Sequence, residues 1–217
     1  MRNPADSRLT VVTRVMSQIR REPVSSGENL EEAEMARISL EYRRTPFVRV
    51  LEWYSKRKYG ELLDPGKVAL HNRRVLTTTL AVEATAARWN QLDPTLRALA
   101  GMVASAEIGC SWCLDFGFWE HHHQGIDPVK LRAVSGWRDS EVYTELERAV
   151  MEYAEAMTAT PPRVTDEQVE RLRRDLSEGE LVELTTQVSL ENFRSRTNAA
   201  LDLTSQGFKA SCELRPA

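Results

Sequence analysis

The stretch Glu107-Ile108-Gly109-Cys110-Ser111-Trp112-Cys113-Leu114-Asp115-Phe116-Gly117-Phe118-Trp119-Glu120-His121-His122-His123 decides how the rest of the chain is read. Gly109 is a natural helix stop, because glycine alone enters the left-handed conformation without a Cβ penalty. A new helix is expected to begin directly after it and to run towards Gly125, with Cys110 at or near its N-cap and Cys113 about one turn in. Residues three apart share a helix face, so the two sulfurs can approach within bonding reach. The free N–H groups and the dipole at a helix start stabilise a thiolate, which makes it a nucleophile. A thiolate beside a second thiol is what disulfide exchange or peroxide reduction requires.

Working outward, the punctuation is helical on both sides. Pro46 suits a first turn, and that helix is expected to reach Tyr59 before Gly60 stops it. Asp64-Pro65 opens a short piece ending near His71. A stripe of Val75, Leu76, Leu80, Ala84 and Ala87 marks residues 73–90, and Asp93-Pro94 starts the helix that Gly109 ends. Asp127-Pro128 opens another. Thr144…Glu147, Thr165…Gln168 and Ser177…Glu180 are capping-box signatures, each ahead of a periodic segment, and the last long helix is expected over 178–201. Upstream, Leu9, Val12, Val15, Met16 and Ile19 also fall on one helical stripe. No run alternates for a strand, and little pattern follows Gly207. The fold class is all-α, with about eight to ten helices. Two cap-helix-turn series, 46–125 and 127–203, are expected to share one core. Residues 1–40 read as an N-terminal extension to a helical domain over 41–217.

Composition bounds the function. The 217 residues carry 29 Lys+Arg against 32 Asp+Glu, a net charge of −3, which argues against nucleic-acid binding by bulk positive charge. No stretch approaches about 18 consecutive apolar residues, so no membrane partner is expected. Residues 1–20 lack an apolar signal region, and a cytoplasmic location is expected. Three cysteines are too few for a disulfide framework. A C-x-x-C in such a chain reads as redox or metal chemistry.

Other readings of the pair stand beside the redox one. Two cysteines on a helix can be inert buried thiols. Zinc could take Cys110, Cys113 and two of His121–His123, but a structural site normally draws its second ligand pair from another element. No metal and no cofactor is therefore expected. Glu107 lies just before the motif. Glu120 follows Cys113 by seven residues, about 10 Å of rise, so it and His121 need a water or substrate to reach the sulfur. Glu191, Asn192, Arg196 and Asn198 interrupt the apolar pattern of the last helix where they would face a pocket, an interface or a buried network. His71 and Lys56-Arg57-Lys58 read as helix-end residues, and Cys212 as a bystander.

At this motif the chain resembles the carboxymuconolactone decarboxylase superfamily, in its alkylhydroperoxidase AhpD-like branch. The resemblance rests on Leu92-Asp93-Pro94 to Gly125 with Gly109-Cys110-Ser111-Trp112-Cys113. It continues through Leu146-Glu147…Tyr153-Ala154…Met157-Thr158 and Leu181-Val182-Glu183-Leu184…Glu191-Asn192…Arg196-Thr197-Asn198. It implies an all-helical protein that forms homo-oligomers, trimers or hexamers. It further implies a reducible cysteine pair acting on a small-molecule peroxide or disulfide, recharged by a thiol electron donor. On that resemblance Cys113 is the attacking thiolate and Cys110 its resolving partner, whereas helix-start physics alone favours Cys110. Two departures matter. The family's redox members carry a His four residues after the second cysteine and a Glu about twelve before the first; here those positions are Gly117 and Ala98. A non-catalytic thiol sensor or scaffold is the alternative function. A decarboxylase-type lyase is a weaker one, since that branch needs no C-x-x-C.

Overall fold

The computed structural model describes residues 36–213, and among these every regular element is helical. The ten α-helices are α1 (Pro46–Tyr59), α2 (Asp64–Ala69), α3 (Arg73–Ala86), α4 (Pro94–Ile108), α5 (Ser111–His123), α6 (Pro128–Ala133), α7 (Glu145–Thr158), α8 (Asp166–Leu172), α9 (Glu178–Ala200) and α10 (Phe208–Glu213). A 3-10 segment, Val134–Asp139, follows α6. The stripe at residues 9–19 and the acidic run Glu28–Glu34 lie outside the described residues.

Helix starts and stops follow the local chemistry. Asp93 accepts the amides of Thr95 and Leu96 at 2.8 and 3.2 Å, with Pro94 at the first turn of α4. Gly109 ends that helix at φ 79°, and Gly60 ends α1 at φ 87°. All three capping boxes form, at Thr144/Glu147, Thr165/Gln168 and Ser177/Glu180. Each such cap is worth about 1 kcal/mol.

Helix α4 is the hub. Leu96 and every residue from Ala98 to Ser105 are buried, because α5, α7 and α9 pack around it. Ala98, Ala100, Gly101, Ala104 and Ser105 are small enough for those neighbours to come close. One apolar core runs from Leu92 through Val150 and Met151 on α7 to Leu184 and Val188 on α9, so the second series shares it with α4 and α5 of the first, while α1, α2 and α3 contribute none of its residues.

Three local expectations need correction. The helix expected over 73–90 stops at Ala86. Beyond it, the carbonyl of Trp89 accepts from Arg97 at 2.7 Å and the amide of Gln91 donates to Glu183 at 2.8 Å, so tertiary partners take the groups a longer helix would use. The 3-10 segment after α6 was not expected. Neither was α10, which begins after the patternless Gly207. Its start is capped from α5: Asp115 accepts the amides of Gln206, Phe208 and Lys209 at 2.9, 3.0 and 2.7 Å.

Candidate functional site

The left-handed turn at Gly109 returns its amide, and that of Cys110, to the carbonyl of Ser105 at 3.0 Å each. This sets Cys110 as the N-cap of α5, and its sulfur accepts the Cys113 amide at 3.2 Å. The two Cα atoms are 5.3 Å apart and the cysteines are joined as a disulfide. Cys212 sits on α10, half-buried against the main core and outside that bond. Among the described residues, no group of three or more His, Cys, Asp and Glu is placed to hold a metal ion.

The pair is covered. Cys110 is 1% exposed and Cys113 7%. Around them pack Trp112, Leu203, and the half-buried Ala36, Leu40, Leu63 and Val68. The chain before α1 is strapped over the site by Arg37, whose amide reaches the carbonyl of Leu201 at 2.9 Å and whose guanidinium reaches that of Ala200 at 3.0 Å. An ion pair to Asp202 at 3.7 Å adds to this. His71, just after α2, bonds the carbonyl of Ser39 at 2.8 Å. Gln206 closes the other side: its side-chain oxygen accepts from the Trp112 indole at 2.8 Å and from the Asp64 amide at 2.9 Å.

The side-chain amide of Asn198, 5% exposed near the end of α9, donates to Cys113 Sγ at 3.4 Å. Two turns earlier on α9, Glu191 accepts from Ser105 at 2.9 Å and from Ser195 at 2.7 Å. Its second oxygen faces Arg194 at 3.2 Å, and Arg194 in turn bonds Glu83. Burial works against the Arg194 charge, but the bonds and charges of Glu83 and Glu191 outweigh it and raise its pKa. Ser105 thus links two features, its hydroxyl on the buried carboxylate and its carbonyl on the turn that places Cys110.

The other polar candidates lie elsewhere. Asn192 donates to the Thr158 hydroxyl at 2.9 Å, and Arg196 to the Thr158 carbonyl at 2.7 Å. Together they secure the end of α7 to α9, where cations suit the last carbonyls. Glu107 is exposed on the last turn of α4 and makes no hydrogen bond to the pair. Glu120 lies near Lys58 and Tyr59 at the end of α1; the bond to Tyr59 raises the Lys58 pKa and burial raises that of Tyr59, with the Glu120 charge adding a little to each. His121 bonds Gln124 at 3.2 Å, and burial lowers its pKa against the opposing charges of Glu120 and Glu191. On a regular helix it stands about 12 Å along the axis from Cys113. Ala98 is fully buried in the core, and a Cβ on Gly117 would meet Met102 at 3.7 Å. No carboxylate or imidazole stands at either position. Asp115, Gln206, Arg37 and Ser105 escaped the sequence reading, because their partners lie 86 to 165 residues away or on loops without pattern.

Residues 73–156, from α3 into α7, match the carboxymuconolactone decarboxylase family. The uncharacterised protein YnjA of Escherichia coli K12 is 32% identical over 164 residues, 74% of this chain and 88% of that protein. The chain therefore belongs to the carboxymuconolactone decarboxylase family. Among solved structures, an Agrobacterium tumefaciens protein of unknown function, labelled as an AhpD-type antioxidant defence protein, is 27% identical at a TM-score of 0.60. The match covers 64% of this chain and 94% of that one, and places the fold in the AhpD-like branch. The debrominase Bmp8, 20% identical with a TM-score of 0.67 over 76% of this chain and 89% of its own, shares the fold alone. One architecture thus carries more than one chemistry, and activity has to be argued from the site.

Proposed function

We propose that this chain is a thiol–disulfide redox protein that reduces a small organic hydroperoxide or disulfide at Cys113, with Cys110 as the resolving thiol and an external thiol as electron donor. The observation that carries the reading is the buried Cys110–Cys113 bond at the first turn of α5, with the Asn198 amide on Cys113 Sγ. In the reduced form the Cys113 thiolate attacks the distal peroxide oxygen, forming a sulfenic acid and releasing the alcohol once the alkoxide takes a proton. Cys110 then displaces water from the sulfenic sulfur and the disulfide returns. A donor dithiol reduces it and is itself oxidised. With Ala98 and Gly117 in place of the family's relay residues, the step lacks general acid–base help worth about 10²–10⁴-fold, so peroxide turnover is slow.

A second reading is favoured by the cover of Ala36, Leu40, Leu63 and Val68 over the pair. A disulfide so enclosed suits a thiol switch that changes slowly rather than a fast peroxidase. In either case the proposed setting is the cytoplasm and the proposed assembly a homo-oligomer, trimer or hexamer; the exposed apolar side chains Val50 and Trp53 on α1, and Val182 and Phe193 on α9, are surface that self-association would cover. The test uses reduced protein in a Cys212→Ser background with cumene hydroperoxide. Stoichiometric alcohol with loss of both thiols, abolished by Cys113→Ser, supports the enzyme. A reversible disulfide without sustained turnover when dithiol is present favours the switch. Unchanged thiols overturn both.

A further inference from the structure

Helix α9 carries a polar stripe on a buried face. Glu191, Ser195 and Asn198, spaced four and three residues apart, lie one above the other. Glu191 is 8% exposed, Ser195 0% and Asn198 5%. Asn198 touches Cys113 Sγ, whereas Glu191 is a buried carboxylate that the redox steps do not use. Its Oε1 accepts from Ser195 at 2.7 Å and from Ser105 on α4 at 2.9 Å, and the two hydroxyls stand 3.2 Å apart. Its Oε2 faces Arg194, which Glu83 holds in turn. The Ser105 hydroxyl also lies 3.0 Å from the Gly101 carbonyl of its own helix. A bond to a charged acceptor is roughly twice as strong as one between neutral groups, so the carboxylate is the firmer anchor.

Ser105 is where α4 hands the chain to the cysteine pair. Its carbonyl accepts the amides of Gly109 and Cys110 at 3.0 Å each. The Cys110 carbonyl then accepts the Leu114 amide at 3.1 Å, in the first turn of α5. The Cys110 backbone is therefore held by α4 on one side and α5 on the other. Helix α9 reaches both cysteines: Cys113 at its sulfur through Asn198, and Cys110 at its backbone through Glu191 and Ser105.

We infer that Ser105, anchored by Glu191, is a positioning residue for Cys110 and sets how firmly the pair closes into its disulfide. Two thiols close with an equilibrium constant that rises with how well each is held against the other, since fixed geometry acts as a high effective concentration. Loosening the turn that carries Cys110 lowers that constant. With dithiothreitol as partner, the balance is explicit. Its two thiols give two electrons and two protons to the Cys110–Cys113 bond, the protein becomes a dithiol, and dithiothreitol closes into its cyclic disulfide. The role rests on the redox reading of the pair made above.

Equilibration of the full chain with mixtures of reduced and oxidised dithiothreitol, in a Cys212→Ser background, gives the closure constant by thiol counting. Ser105→Ala, which removes one buried hydroxyl, is expected to shift it towards the dithiol by about threefold or more. Ser195→Ala removes the other hydroxyl from the same carboxylate but touches neither Gly109 nor Cys110, and is expected to leave the constant unchanged. Glu191→Ala is expected to match Ser105→Ala, while Glu191→Gln, which keeps an oxygen for the hydroxyl, restores most of the constant. Thermal melts check that each variant is folded; a purely structural role of Ser105 lowers the melting temperature without moving the closure constant. An unchanged constant in folded Ser105→Ala, an equal shift in Ser195→Ala, or equal constants in Glu191→Ala and Glu191→Gln overturns the positioning role. The parent protein separates this from the redox reading. Thiols that never form the bond overturn both, whereas a bond that closes equally in parent and Ser105→Ala overturns the positioning role alone.

Discussion

Asn198 on α9 holds its side-chain amide 3.4 Å from the sulfur of Cys113 on α5. A thiolate left at that position by reduction of the disulfide would be stabilised by the same N–H, and hydrogen bonds to charged groups are worth about 1.5–3 kcal/mol. Asn198→Ala is therefore expected to make reduced Cys113 a poorer nucleophile near neutral pH and to move its alkylation profile to higher pH. The pH dependence of iodoacetamide alkylation, in a Cys110→Ser, Cys212→Ser background, measures this. Superimposable profiles would show that the contact has no electrostatic role.

The strap lies over the pair, with Ala36 and Leu40 packed against it. The hydrogen bond from the Arg37 guanidinium and its ion pair to Asp202 are solvent-exposed, so each is worth about 1 kcal/mol or less. Arg37→Ala is expected to speed reduction of the disulfide by dithiothreitol up to about fivefold. An unchanged rate would mean that reductant reaches the sulfurs by another route.

Gly117 sits mid-helix, where the family's redox members carry a histidine. A Cβ added there meets Met102 at 3.7 Å, an ordinary contact, and the position is helical. Gly117→Ala should thus stabilise the protein by about 0.5–1 kcal/mol, through the smaller entropy of the unfolded chain. That is a rise in melting temperature of about 1–4 °C. A lower melting temperature would show that the space around Met102 is tighter than the backbone geometry indicates.

What was legible in the sequence was whatever short-range chemistry encodes. Gly109 and the Asp93-Pro94 start fix α4, three capping boxes fix α7, α8 and α9, and a C-x-x-C after a glycine stop puts two sulfurs on one turn. The rest rests on long-range partners. Asn198 was visible as a polar break in an apolar pattern, but nothing local distinguished it from Asn192, six residues earlier, which serves Thr158 instead. Helix α10 could not be read because the group that caps it belongs to α5. The early end of α3 depends on Arg97 and Glu183, which sit on two other helices.

His121 gives the site region a pH dependence whose sign follows from its surroundings. Burial lowers its folded pKa below the ordinary value of 6.5, with Glu120 and Glu191 opposing and Arg97 reinforcing. Near neutral pH both the folded and unfolded chains carry the neutral imidazole, and its contribution to stability is complete. As the pH falls through 6.5 the unfolded chain takes up a proton that the folded one does not. Stability is lost progressively until the folded pKa is passed. The melting temperature is therefore expected to drop between pH 7.5 and 5 by less in His121→Gln than in the native protein. Carboxylates away from His121 contribute equally to both over that range, so the difference between the two curves reports the imidazole together with its coupling to Glu120 and Glu191. Parallel curves would show that His121 is as well solvated in the folded protein as in the unfolded chain, which would also remove the reason to expect a neutral base at this point of α5.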